Sequence, residues 1–241
     1  MEYPKINCLN KGFVRLIDHM GNDLSVIRNA RNSYDAAWRT GEDGESDDKL
    51  LRYLLKNSHS TPFESVTFTF EVYAPIFVLR QWHRHRTWSY NAISARYKEL
   101  PCDYYIPDPY MIGIQGKDNK QVRTILAPER CDEIIDQLDE DITKYRDACE
   151  AGIATYKTLL ANGWPRELAR CTLPVSTYSN MFATVNLWNF IRFLKLRIHP
   201  HAQYEIRVYA EALADLARLI VPKTMALITP DILEAMKGPK V

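Results

Sequence analysis

Between residues 66 and 73 apolar and polar side chains alternate strictly, with Val66, Phe68, Phe70 and Val72 against Thr67, Thr69, Glu71 and Tyr73. A period of two is the pattern of a β-strand with one buried face. The chain must therefore supply a second layer to cover those Val and Phe side chains. The strand ends at Ala74-Pro75, and Pro75 predicts a helix over residues 76–82, since its fixed φ suits a first helical turn, where no N–H is required.

Helical spacing supplies that second layer. A helix start at Asn22-Asp23, after Gly21, predicts a helix over 22–38, and Leu50, Leu51, Leu54 and Leu55 predict another, with 40–46 a solvated loop between them. From about Pro128 to Asn162, Ile134, Leu138, Ile142, Tyr145, Cys149 and Tyr156 keep a helical spacing. Gly163 and Pro165 then stop the helix, and Gly152 is a candidate kink. Residues 186–197 predict a further helix, and Ile206, Tyr209, Leu213, Leu216 and Ile220 step by three and four along a C-terminal one. There is no internal repeat and no βαβ rhythm, so the expectation is a helix-rich α+β single domain over 1–241 with a central antiparallel or mixed sheet.

Composition removes several classes of function. The 241 residues carry 31 Lys and Arg against 30 Asp and Glu, a net charge of +1, which argues against a protein that coats nucleic acid through bulk charge. No run approaches the roughly 18 to 20 apolar residues of a membrane helix, and the N-terminus MEYPKINCLNKGF lacks a secretory apolar core, so a cytoplasmic protein without membrane contact is expected. Cys8, Cys102, Cys131, Cys149 and Cys171 form no CxxC, which speaks against a disulfide framework or a cysteine zinc site. The pairs His83/His85 and His199/His201 lack HExxH spacing, and no metal is expected.

Against this neutral background the window Arg80 to Lys98, RQWHRHRTWSYNAISARYK, holds five Arg or Lys and two His without one acid. It reads either as a solvated basic face or as an anion site. Trp82, Trp88, Tyr90, Ile93 and Tyr97 interleave with the charges, and Ser89, Asn91 and Ser94 add hydroxyl and amide groups, which favours a pocket for a planar ring bearing phosphate. With no GxGxxG and no GxxxxGK, side chains must hold any phosphate. Two more clusters stand out. In His59-Ser60-Thr61-Pro62-Phe63-Glu64, Thr61 reads as a phosphate contact or as a plain turn residue. In the segment 186–201, Arg192 and Arg197 interrupt an otherwise apolar helix, where an unpaired charge is costly, so one of them is expected to face a ligand. Arg166 and Arg170 lie one helical turn apart with Glu167 as a partner for one, leaving Arg170 the freer charge.

Arg84-His85-Arg86, seven intervening residues and Ser94 resemble the signature of the flavin-dependent thymidylate synthases. Gln81-Trp82 before it, Asn91 within it and Arg96-Tyr97 after it fit the same family, as do Gly21 to Asp23, His59 to Glu64, Tyr105 to Pro107, Pro165 to Arg170, Thr184 to Asn186 and His201 to Gln203, in order. The resemblance implies the family's α+β fold, a homotetramer with active sites shared between subunits, and methylation of dUMP at uracil C5. Methylenetetrahydrofolate would give the carbon and NADPH the hydride through FAD, with no cysteine nucleophile.

Carried over by position, Gln81, Arg84, Ser94, Ala95, Arg96 and Arg170 resemble dUMP-binding residues, and Arg197 the catalytic arginine at the uracil ring. Thr61, Arg84, His85, Arg86, Ala92 and Asn186 resemble flavin contacts, and His59 and His201 residues near the ring systems. Three positions depart from the family's commoner pattern: Arg192 stands where some relatives carry Asn against the flavin, His83 replaces an aromatic and Ala92 an acid. Ser94 has no visible base beside it, so it is read as a hydrogen-bonding group. The competing readings are a flavin-dependent NADPH oxidase or other nucleotide-modifying enzyme on this scaffold, and an RNA- or nucleotide-binding module.

Overall fold

The computed structural model describes residues 3–117 and 122–228, so both ends of the single domain expected over 1–241 extend beyond the described residues. Its strands are β1 (Lys5–Cys8), β2 (Gly12–Met20), β3 (Thr67–Pro75), β4 (Ser89–Ala92), β5 (Ile114–Gln115), β6 (Arg123–Thr124) and β7 (Tyr178–Asn186). The helices are α1 (Asp23–Asn32), α2 (Gly44–Lys56), α3 (Thr61–Glu64), α4 (Ile76–Trp82), α5 (Pro109–Ile112), α6 (Pro128–Asp132), α7 (Ile135–Ala161), α8 (Arg166–Ala169), α9 (Leu187–Arg197), α10 (Tyr204–Arg218) and α11 (Pro222–Leu227). Five strands form one antiparallel sheet in the order β1-β2-β3-β7-β4, and β5 and β6 make a separate small ribbon. The helix-rich α+β expectation holds, and the sheet is antiparallel.

The ladder between β3 and β7 runs unbroken from Thr67 opposite Asn186 to Pro75 opposite Tyr178. Phe68, Phe70 and Val72 point to one face with Met181, Ala183 and Val185 of β7, all buried. Helices α4, α9 and α10 cover that face. Phe190 of α9 packs on Phe68 and Phe70 with ring centroids 5.5 and 5.7 Å apart, Trp82 of α4 stacks on Phe193 at 5.1 Å, and Tyr209 of α10 meets Trp82 at 6.2 Å. Tyr209 also donates from its hydroxyl to the carbonyl of Tyr73 at 2.9 Å, joining the helix layer to the sheet.

Several expected boundaries move. The helix predicted over 22–38 stops at Asn32; Asp35 takes a left-handed φ of 52° and a 3-10 turn over Ala37–Arg39 follows. The expected loop 40–46 is shortened because Asp43 caps α2, accepting from the backbone N–H groups of Glu45 and Ser46. The long helix expected from Pro128 divides into α6 and α7, since Ile134 leaves helical geometry with φ −122° and ψ 12°. Gly152 leaves α7 unbroken. A Cβ at that position would lie 2.7 Å from the carbonyl oxygen of Thr172, so this glycine lets a neighbouring segment approach.

Candidate active site

Helices α4 and α9 begin at opposite ends of the β3–β7 ladder, because Pro75 leads into one and Asn186 caps the other. Nine residues of strand span about 30 Å, while helices of seven and eleven residues cover roughly 10 and 16 Å. Lying on the same face, they run toward each other and their C-terminal ends meet. Two helix C-termini bring unpaired carbonyls and partial negative charge together, a place where a cation is stabilised. Arg197, the last residue of α9, fills it. Its Nη2 donates to the carbonyl oxygen of Gln81 at 3.2 Å, and its Nε donates to Nε2 of His85 at 2.9 Å.

That second bond fixes the state of His85. Nε2 accepts, so the imidazole is neutral with its proton on Nδ1. Burial holds the His85 pKa down at about 4, and the positive charges of Arg197 and Arg192 push in the same direction. The ring sits edge-on to Phe193 at 4.8 Å. Burial also lowers the Arg197 pKa below its ordinary value, and no carboxylate pairs with this guanidinium among the described residues.

The basic window folds as the end of α4, a turn over 83–88 and the edge strand β4, which pairs Ser89–Ala92 with β7. The hydroxyl of Tyr90 lies 2.9 Å from the carbonyl oxygens of both Trp82 and His85 and fastens the turn. Arg84 and Arg86 project from it, exposed and without an acidic partner among the described residues. His83, the departure from an aromatic, packs edge-on against Tyr90 at 4.8 Å and so keeps an aromatic contact. Ala92 is exposed on β4 opposite Met181, where only its backbone and methyl group are on offer. The Oγ of Ser94 accepts the N–H of Arg96 at 3.3 Å, leaving its hydroxyl proton to donate, and no base contacts it among the described residues.

Arg96 and Arg170 meet across Glu167, which corrects the expected pairing. The Glu167 carboxylate binds Nε of Arg96 at 3.2 Å, while Arg170 donates from Nε to the Glu167 carbonyl oxygen at 3.2 Å. Arg170 and Ala95 line a cavity of about 310 Å³ with Ile93, Pro174 and Ser179.

The remaining sequence-predicted residues are spread more widely over the chain. Thr61 opens α3, exposed, and His59 stacks on Tyr53 at 5.6 Å; both line a groove of about 660 Å³ with Asn29, Ser33 and Tyr34. Asn186 caps α9, its Oδ1 accepting from the backbone and side-chain nitrogens of Asn189 at 2.9 and 3.0 Å. Arg192 is half-buried near His85 and has no acidic partner among the described residues. His201 lines a cavity of about 240 Å³ with Gln203, Tyr204, Arg123 and Arg207, and its backbone N–H donates to Nδ1 of His199 at 3.1 Å.

Arg84, Arg86 and Arg192 thus present unmatched positive charge beside a neutral imidazole and aromatic rings. That donor set fits a dinucleotide cofactor with a pyrophosphate and a planar ring. No group of three or more potential metal ligands occurs among the described residues, and none of their helices is long and apolar enough to cross a membrane.

Sequence reasoning missed a buried carboxylate. Glu205 is 2% exposed and accepts from Tyr105, Arg123 and Gln203, and Gln203 in turn bonds the side chain of Gln81. The signal was available, because residue 205 lies one helical turn before Tyr209 on the buried stripe of α10, where an acid is out of place.

Residues 15–223 match the family described as Thymidylate synthase complementing protein. The chain is 43% identical over 218 residues to a flavin-dependent thymidylate synthase of Treponema denticola, covering 90% of this chain and 79% of the relative. The chain belongs to the flavin-dependent thymidylate synthase family. A second such synthase, from Thermotoga neapolitana, is 41% identical over 220 residues, covering 91% of this chain and 92% of its own. Among solved structures, the UMP/dUMP methylase PolB of Streptomyces cacaoi bound with 5-Br dUMP superposes with a TM-score of 0.78 at 35% identity, covering 92% of this chain and 96% of that one. Membership of the flavin-dependent thymidylate synthases makes the chain an enzyme and accounts for a basic, aromatic site built without a glycine-rich phosphate loop.

Proposed function

We propose that this enzyme methylates dUMP at uracil C5 to give dTMP, taking the carbon from methylenetetrahydrofolate and the reducing hydride from NADPH through FAD. The observation that carries the reading is Arg197, a guanidinium held at the meeting of two helix C-termini by His85 and the Gln81 carbonyl, with no carboxylate to neutralise it. A preorganised cation of this kind stabilises negative charge as it develops on a bound ring. Its Nη1 has no partner among the described residues and is the group offered to a uracil oxygen. There it favours the N3-ionised, electron-rich pyrimidine, whose C5 is the better nucleophile.

Arg84, Arg96 and Arg170, with the Ser94 hydroxyl and Gln81, hold the nucleotide, the arginines taking its phosphate by forked contacts. The Ala95 backbone lies in the same stretch. Thr61, Arg84, His85, Arg86, Ala92, Asn186 and Arg192 are assigned to FAD, and His59 and His201 to the edges of the ring systems. When bound, FAD supplies hydride transfer from NADPH. Because Thr61 with His59, Arg170, and His201 line three separate cavities of one chain, assembly of several chains is the way to bring them to one site, which supports a homotetramer with shared sites. Light scattering should give a mass of four chains.

The reaction is assigned no cysteine nucleophile. Burial pushes the Cys8 thiol up to about 12, Cys131 and Cys149 are buried, and none of the five is paired. Unpaired thiols also suit a cytoplasmic enzyme. Cys171 is the exposed one, beside Arg170, with its Sγ 3.7 Å from the Glu167 carbonyl. Cys171→Ser is expected to keep dTMP formation within about twofold of wild type, and loss of activity would reinstate thiol catalysis. The deciding experiment is anaerobic dTMP formation from dUMP, FAD, methylenetetrahydrofolate and NADPH, omitting each in turn and running UMP alongside. Product only in the complete mixture is expected. NADPH oxidation without dTMP would mean an oxidase on this scaffold, and RNA affinity falling steeply with salt would mark a binding module.

A further inference from the structure

We propose that Glu205 is a positioning residue that sets the orientation of the Gln81 side-chain amide through Gln203, so that Gln81 offers its carbonyl oxygen to the nucleotide. The inference rests on the reading above that Gln81 meets dUMP.

Glu205 is sealed inside the protein, with Oε1 accepting from the Tyr105 hydroxyl at 3.1 Å and from Nη2 of Arg123 at 2.9 Å. The carboxylate is ion-paired with the Arg123 guanidinium, and a carboxylate can only accept hydrogen bonds. Its second oxygen, Oε2, takes a bond of 2.8 Å from Nε2 of Gln203. That choice propagates. Gln203, having turned its nitrogen inward, must present Oε1 outward, and the group that answers it is Nε2 of Gln81. The bonds therefore all run one way, from Gln81 through Gln203 to Glu205. The Gln81 amide is left with its Oε1 off the chain and without a protein donor among the described residues. Meanwhile Arg197 holds the backbone carbonyl of the same residue at 3.2 Å. Gln81 is thus fixed at both main chain and side chain, as an acceptor for an N–H or O–H of a pyrimidine nucleotide.

Glu205→Gln reverses the chain at almost unchanged volume: Arg123, which can only donate, keeps the carbonyl oxygen of the new amide, its NH2 turns toward Gln203, and the Gln81 amide is driven to present an NH2 where an acceptor is required. Gln203→Leu removes the middle link while leaving the Glu205–Arg123–Tyr105 cluster intact, and Gln203 is exposed, so this variant folds even if Glu205→Gln does not.

The test is calorimetric dUMP binding and steady-state kinetics on the FAD-loaded wild type, Glu205→Gln, Gln203→Leu and the double variant. Glu205→Gln should weaken dUMP binding and raise its KM about tenfold, the loss of one oriented hydrogen bond, and Gln203→Leu, which only frees the Gln81 amide, about two- to threefold, with kcat within about threefold in both. The double variant should be no weaker than Gln203→Leu alone, because Glu205 acts through Gln203. The inference is overturned if Gln203→Leu binds dUMP as wild type does, or if Glu205→Gln weakens binding equally with and without Gln203. A wild-type enzyme that binds FAD but no dUMP overturns the functional reading itself, and this inference with it.

Discussion

Arg31 and Arg197 are both long cationic side chains drawn largely out of water, and the protein partners them in opposite ways. Nη1 of Arg31 lies 2.6 Å from Oδ1 of Asp47, the two side chains being 12% and 1% exposed, and further donors of Arg31 reach the Arg39 carbonyl and the Ser46 hydroxyl. Charge is matched by charge, and the pair ties α1 to the start of α2. Arg197 has only an imidazole nitrogen and a carbonyl oxygen. Its charge is oriented but not cancelled. A fold that pairs Arg31 with such care has left Arg197 available, which is the electrostatic mark of a group that waits for an anion or for charge developing on a ligand.

The contrast can be broken most forcefully at Arg197 itself. Arg197→Ala should cut dTMP formation by about 10²- to 10³-fold, roughly 3 to 4 kcal/mol of barrier. Flavin loading and the thermal midpoint should hold, because no buried carboxylate is stranded. Synthesis at a near wild-type rate would remove Arg197 from the mechanism. The opposite result is expected at the matched pair. Asp47→Ala leaves the Arg31 charge uncompensated and deprives the Gly41 N–H of its acceptor, so stability should fall by about 3 kcal/mol with kcat unchanged. A melting temperature within a degree of wild type would show the pair to be ornamental.

The neutral imidazole gives a smaller effect. A histidine whose pKa falls from 6.5 to about 4 on folding refuses a proton that the unfolded chain accepts. Its contribution is therefore complete above pH 6.5 and is lost as pH drops toward 4, worth about 2 kcal/mol once solvent screening is allowed for. Urea midpoints measured across that window should slope for wild type and flatten for His85→Gln, whose amide keeps an acceptor for Arg197. Equal slopes would move the pH dependence elsewhere. Smallest is Lys49→Ala, which removes an exposed i,i+4 partner of Glu45 and should change stability by no more than about 0.5 kcal/mol in the same melts.

How far these features were legible in the sequence differs by element. Strand β3 showed itself because its buried face is all Val and Phe, and Pro75 marked the hand-over to α4. Strand β7, its partner along nine positions, stayed hidden because small Ala183 and polar Ser179, Asn180 and Asn186 blur the alternation. β2 was obscured by the register shift between Leu16 and Asp18, which puts Ile17 and Asp18 side by side in exposed positions. At the site, the signature window and Arg197 stood out as charges in the wrong company. The line from Gln81 to Glu205 joins residues 122 positions apart in its first step alone, and no local pattern encodes such a contact. Glu167 was read as a neighbour's partner by helical spacing, whereas tertiary folding brought Arg96 to its carboxylate.

The unbroken β3–β7 ladder also works as a ruler. One helix is launched from each end of it, so the gap between Gln81 and Arg197 is measured out by the number of residues in the two strands. A single residue added to either strand would move one helix end by about 3.3 Å and turn a buried face outward. Length changes between relatives should therefore gather in connections such as the stretch from Ser33 to Asp43, and these two strands should keep a constant residue count wherever the arginine and the imidazole are still required to touch.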